Sequence, residues 1–116
     1  MVGREVSGAH YGLRDWLAQR VTAVIMAAYT LIILVAIAGL PRTMDYWQWK
    51  LLWQAPVINY ATVLFIASLL FHAWIGMRNI FMDYIKSPGL RLMLYVLTIG
   101  ALLLYAFWSI QILWSL

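Results

Sequence analysis

The stretch FHAWIGMRNIFMDYIKS, residues 71–87, holds four side chains with chemistry to offer: His72, Arg78, Asp83 and Tyr84. His72 lies inside the uncharged run VINYATVLFIASLLFHAWIGM, Val57 to Met77. A neutral imidazole there has one donor and one acceptor nitrogen to satisfy. Three chemistries fit it: a packed histidine bonded to a neighbouring helix, a proton relay, and an axial ligand to a haem iron. Ser68, His72 and Gly76 recur at intervals of four, which puts them on one face of a helix. Two small residues around a histidine leave a shallow slot. It can take a flat macrocycle or the close approach of another helix. His10 precedes the first apolar run, so a second axial ligand has to come from a partner chain.

Asp83 follows His72 by eleven residues, which returns it to nearly the same side of a helix, ~16 Å further along. A phenol and a carboxylate at that level suit a quinone head group, whose carbonyls take up protons on reduction. An interfacial tyrosine beside an aspartate paired with Arg78 or Lys86 fits the same residues. Arg20, at the opening of the first apolar run, can snorkel to the interface or bind a haem propionate bidentately.

The elements that must position these groups follow from composition. The chain has 116 residues, of which 66% are hydrophobic and only 10% charged, against roughly 25% charged in a soluble domain. Three uncharged stretches, Val21–Leu40, Val57–Met77 and Leu92–Leu116, each reach the roughly 20 residues needed to cross a bilayer. An all-α membrane protein with three transmembrane helices is expected, a single anchor domain over residues 1–116. The spans fall at about 16–40, 57–82 and 90–115, with an interfacial segment at 44–54 where three of the seven tryptophans cluster. Gly39 and Pro41 end the first helix, Ser87-Pro88-Gly89 turns into the third, and Asp15 is placed to cap the first. The first run is too long for a signal-peptide core, and the N-terminal segment is not that of a transit peptide; a bacterial-type mature chain is expected.

The absence of cysteine excludes disulfides, thioether-attached haem and cysteine-ligated clusters. A net charge of +4 is too sparse for nucleic acid. Arg4, Arg14, Arg20, Arg78, Lys86 and Arg91 fall on one side of the three spans, and only Arg42 and Lys50 on the other. The positive-inside rule then places the N-terminus in the cytoplasm, the C-terminus in the periplasm, and Asp83 and Tyr84 at the cytoplasmic face. Within the spans, Tyr29, Thr30, Tyr60, Thr62, Tyr95 and Tyr105 can bond to backbone or reach an interface, and Ser68 can bond back to its own helix. Every Asp and Glu lies outside the apolar runs, which weighs against a proton-coupled transporter. That function and a haem-free structural anchor are the alternatives to a redox anchor.

HAWIGM followed by DYIK and then LRLML, with the H-x10-DY spacing as the most specific element, resembles the small hydrophobic membrane-anchor subunit of bacterial succinate dehydrogenase (complex II). The segment DWLAQRVTAV is similar to the same family, and the likeness covers nearly the whole chain. The resemblance implies a subunit of succinate:quinone oxidoreductase, serving electron transport and the tricarboxylic acid cycle in the bacterial inner membrane. It implies a flavoprotein, an iron–sulfur subunit and a second, cytochrome b anchor as partners. It further implies His72 as one axial ligand of a shared haem b, Arg20 at a haem propionate, Tyr84 on a ubiquinone carbonyl, and Asp83 in support. Two positions depart from the family pattern. Arg14 stands where some relatives have histidine, and Arg78 where a less charged residue is usual, with Asp83 or the soluble subunits as its expected partner.

Overall fold

A computed structural model describes the backbone of residues 2–116 and side chains from Gly12 onward. Four helices follow one another: α1 (Val2–Ala38), α2 (Tyr46–Gln54), α3 (Pro56–Tyr84) and α4 (Pro88–Trp114), with no strand among the described residues. Three are long and apolar enough to cross a membrane: Gly12–Ala38 within α1, then α3 and α4. The molecule measures 63 × 27 × 20 Å, the proportions of a sheaf of long helices rather than of a ball.

Local chemistry sets most of the boundaries. After Ala38 the Gly39 amide still reaches back to the Val35 carbonyl at 3.2 Å, and Pro41 prevents another turn. Asp45 caps α2 reciprocally: its carboxylate accepts from the Gln48 amide at 2.9 Å, and the Gln48 side chain accepts from the Asp45 amide at 3.1 Å. Ala55 alone separates α2 from α3, and Pro56 stands in the first turn of α3, where a missing N–H costs nothing. Ser87 caps α4 ahead of Pro88, and the Arg91 guanidinium closes the turn by donating to the Ile85 carbonyl at 2.8 and 3.2 Å.

One capping residue differs from expectation. Asp15 does not cap α1; it lies well inside that helix, because its carboxylate has an ionic partner on α3 in place of free backbone amides. Helix α3 outruns its apolar stretch and continues through Asp83 to Tyr84. His72 is therefore just past the middle of α3, about 18 Å from its C-terminal residue at ~1.5 Å per residue.

Helix α3 is the hub, packing against α1, α2 and α4. Its contact with α4 is aromatic: Tyr95 sits edge-on to Trp74 at 5.8 Å and tilted against Phe81 at 6.0 Å. No residue of α4 is fully buried, and the face turned away from α3 is left for lipid or other subunits.

Candidate functional site

The contact between α1 and α3 carries the polar chemistry. Asp15, Thr22 and Tyr29 recur every seven residues on α1 and share one stripe. The antiparallel α3 answers in reverse order. Arg78 forms an ion pair with Asp15. The His72 Nδ1 lies 2.9 Å from the Thr22 Oγ1. The Tyr29 hydroxyl lies 2.7 Å from the Thr62 Oγ1, while the Tyr29 ring stacks on Phe65 at 4.5 Å. Thr22, Tyr29, Thr62 and Ser68 are all buried. In hydrocarbon an unpaired polar group costs several kcal/mol, so this register of pairs selects how the two helices meet.

His72 itself is half-buried. Its Nδ1 is engaged with Thr22, and its Nε2 makes no hydrogen bond among the described residues. The expected slot around it exists but is occupied: the Gln19 side chain lies over Gly76, 3.6 Å from where a Cβ would stand. Gly76 therefore admits α1 there, and His72 reaches its surroundings through Nε2. The residues fit a haem half-site in donor chemistry: one imidazole, oriented through one nitrogen, with the other nitrogen available as a ligand. Among the described residues no three His, Cys, Asp or Glu side chains converge to hold a metal ion.

Below His72, toward the end of α3, a polar cleft of about 670 Å³ opens between α1 and α3, with Asp15, Gln19, Arg20 and Asn79 in its walls. Arg20 is exposed, its guanidinium over the Trp16 ring at 5.4 Å. Two residues before Thr22, it stands in the cleft wall and outside the buried Thr22–His72 contact. Two buried atoms on this contact, Gln19 Oε1 and Arg78 Nε, have no hydrogen-bond partner among the described residues.

Asp83 and Tyr84 end α3 and are exposed, Tyr84 to 77%. Asp83 forms no ion pair among the described residues; the expected Arg78–Asp83 pair is replaced by Arg78–Asp15. Side chains five apart on a helix point some 140° away from each other, whereas Asp15 faces Arg78 directly across the helix contact. Arg14 is exposed beside this ion pair, at a shallow cleft with Arg78 and Met82. Thr22 and Gln19 escaped the sequence reading. The seven-residue recurrence of Asp15, Thr22 and Tyr29 was the available signal.

Residues 3–108 match the family described as the succinate dehydrogenase/fumarate reductase transmembrane subunit. The chain belongs to that family. The matched segment of this transmembrane subunit takes in His72, Arg20, Asp83 and Tyr84. It is 38% identical over 103 residues to the succinate dehydrogenase hydrophobic membrane anchor subunit of Coxiella burnetii, covering 89% of each chain. It is 32% identical over 92 residues to the protein of the same name from Rickettsia felis, covering 78% of this chain and 72% of that one.

Proposed function

We propose that this chain is the small hydrophobic membrane anchor of a bacterial succinate:quinone oxidoreductase in the inner membrane, with its N-terminus in the cytoplasm. It would hold a flavoprotein and an iron–sulfur subunit on the bilayer beside a second, cytochrome b anchor. His72 would supply one axial ligand to a haem b shared with that second anchor, and Arg20 would meet a propionate at the cleft. The reading is supported by His72 just past the middle of a membrane-length helix, held through Nδ1 with no bond to Nε2 among the described residues, in a chain of this family. One-electron storage is what a b-type haem supplies when bound.

The exposed pair at the end of α3 suits the other half of the task. Reducing ubiquinone to its quinol takes two electrons, which partner subunits deliver from succinate, and two protons. The Tyr84 hydroxyl is free to donate to a quinone carbonyl. The Asp83 carboxylate beside it can orient a partner's arginine or pass a proton inward from water. The six basic residues counted on this side support the cytoplasmic placement.

In the purified complex, His72→Ala is expected to weaken or shift the reduced b-type spectrum; an unaltered spectrum removes His72 as ligand. Tyr84→Phe is expected to lower quinone reduction about tenfold, the order of one lost hydrogen bond, while sparing succinate oxidation by an artificial acceptor at the flavin. Equal loss of both activities, or of neither, counts against the quinone assignment. A second reading, a haem-free structural anchor, is favoured by the Thr22–His72 hydrogen bond taken as packing alone; a complex that carries no haem when purified intact decides for it.

A further inference from the structure

Thr22 sits where three atoms compete for one hydroxyl hydrogen. Its Oγ1 lies 2.7 Å from the Ala18 carbonyl, 3.2 Å from the Gln19 carbonyl and 2.9 Å from the His72 Nδ1. Both carbonyls are pure acceptors. Two oxygens at 2.7 Å need a proton between them, since lone pairs facing each other at that separation repel. The Thr22 hydrogen is thereby committed to its own helix, and the hydroxyl meets the imidazole with a lone pair. The only proton left for the 2.9 Å contact belongs to Nδ1.

From this we infer that Thr22 is a positioning residue for His72: it accepts the Nδ1 proton, fixes the ring as the Nδ1–H tautomer, and leaves the Nε2 lone pair pointing away from α1 as the metal-binding atom. The inference rests on the reading of His72 as a haem ligand and adds how this chain prepares it. The contact is well protected, with Thr22 only 7% exposed. The hydroxyl is polarised as an acceptor by donating to a carbonyl at the same time. Donation from Nδ1 raises the basicity of the other nitrogen, which favours the ferric over the ferrous state. Gln19, one turn away, lies over Gly76, so α1 also covers α3 beside the ring.

The test is the midpoint potential and ferric electron-paramagnetic-resonance spectrum of the haem in the purified four-subunit complex, for wild type, T22V, T22S and H72A. T22V keeps the shape and removes the acceptor. It is expected to shift the ferric–ferrous equilibrium three- to tenfold toward ferrous, at most about 59 mV upward for a one-electron couple, with altered ligand-field anisotropy. T22S keeps the oxygen and is expected at the wild-type potential whether or not T22V assembles. A purely structural role would lower haem content or thermal stability and leave the potential of the retained haem unmoved. A T22V potential equal to wild type, or a T22S potential displaced more than twofold in the same equilibrium, overturns the inference while H72A still alters the haem. An H72A complex with an unaltered haem spectrum instead overturns the ligand reading on which the inference stands.

Discussion

Asp15→Asn is expected to loosen the α1–α3 contact at its Arg78 end, and the size of the effect can be bounded. The two side chains of the pair are 28% and 32% exposed. Fully exposed pairs contribute ~0.2–1 kcal/mol, and breaking a fully buried pair costs ~3–5 kcal/mol. About a third of the solvent screening remains here, which places the coupling at about 2 kcal/mol. Arg78 raises the stakes, because its Nε is buried without a partner among the described residues and loses the nearby countercharge when Asp15 goes. The assay is the half-life of the assembled complex in detergent at a fixed elevated temperature, for D15N, R78M and the double variant. A coupling of about 2 kcal/mol, fully lost at the barrier, corresponds to a change of roughly thirtyfold in rate. The double variant should decay no faster than the worse single one. The exchanged pair D15R with R78D should recover part of the loss. Additivity within about 0.3 kcal/mol, or singles indistinguishable from wild type, refutes the idea that this pair holds the helices together.

Two further outcomes follow from the same contact. Gly76→Ala should be nearly neutral, since its Cβ meets Gln19 Nε2 at an ordinary 3.6 Å, whereas Gly76→Leu should displace Gln19, cost ~1–3 kcal/mol by overpacking and disturb the haem spectrum; a silent Gly76→Leu would show that α1 does not pack there. Tyr29→Phe keeps the stack on Phe65 and loses only the bond to Thr62, so about 0.6 kcal/mol, and no more than about 1.7, should disappear in a thermal-decay comparison with Thr62→Val; a larger loss would mean that the ring has moved.

The three spans were legible from gaps in charge, and their ends from Gly39, Pro41 and Ser87-Pro88, because a bilayer leaves few alternatives for a run of some 20 apolar residues. The partners across the helices were not. A helical face can be read from spacing within one segment, but which segment it meets, and in what register, depends on packing between distant parts of the chain. Asp15 illustrates this. Alone it suits a cap, and only the antiparallel placement of Arg78 shows why it lies within the helix. Ser68 and Gly76 suggested a surface open to close approach, and small side chains serve a macrocycle or a helix equally well; at Gly76 the position of Gln19 shows a helix there. His72 and the Asp83–Tyr84 pair stood out because polar groups in or beside hydrocarbon need partners, and the hydroxyl that meets His72 comes from a residue too ordinary to stand out by type.

The register of the α1–α3 pairs bears on the order of synthesis. Helix α1 emerges first and presents Asp15, Thr22 and Tyr29 along one stripe, with their cross-helix partners still to come on α3. The hairpin of α1 and α3 supplies all three cross-helix contacts at once. Helix α4, the last to emerge, buries none of its residues and brings no polar group to that contact. A nascent chain cut short before Pro88 should therefore already possess the finished α1–α3 hairpin, ready to be met by its partners while α4 is still to be made.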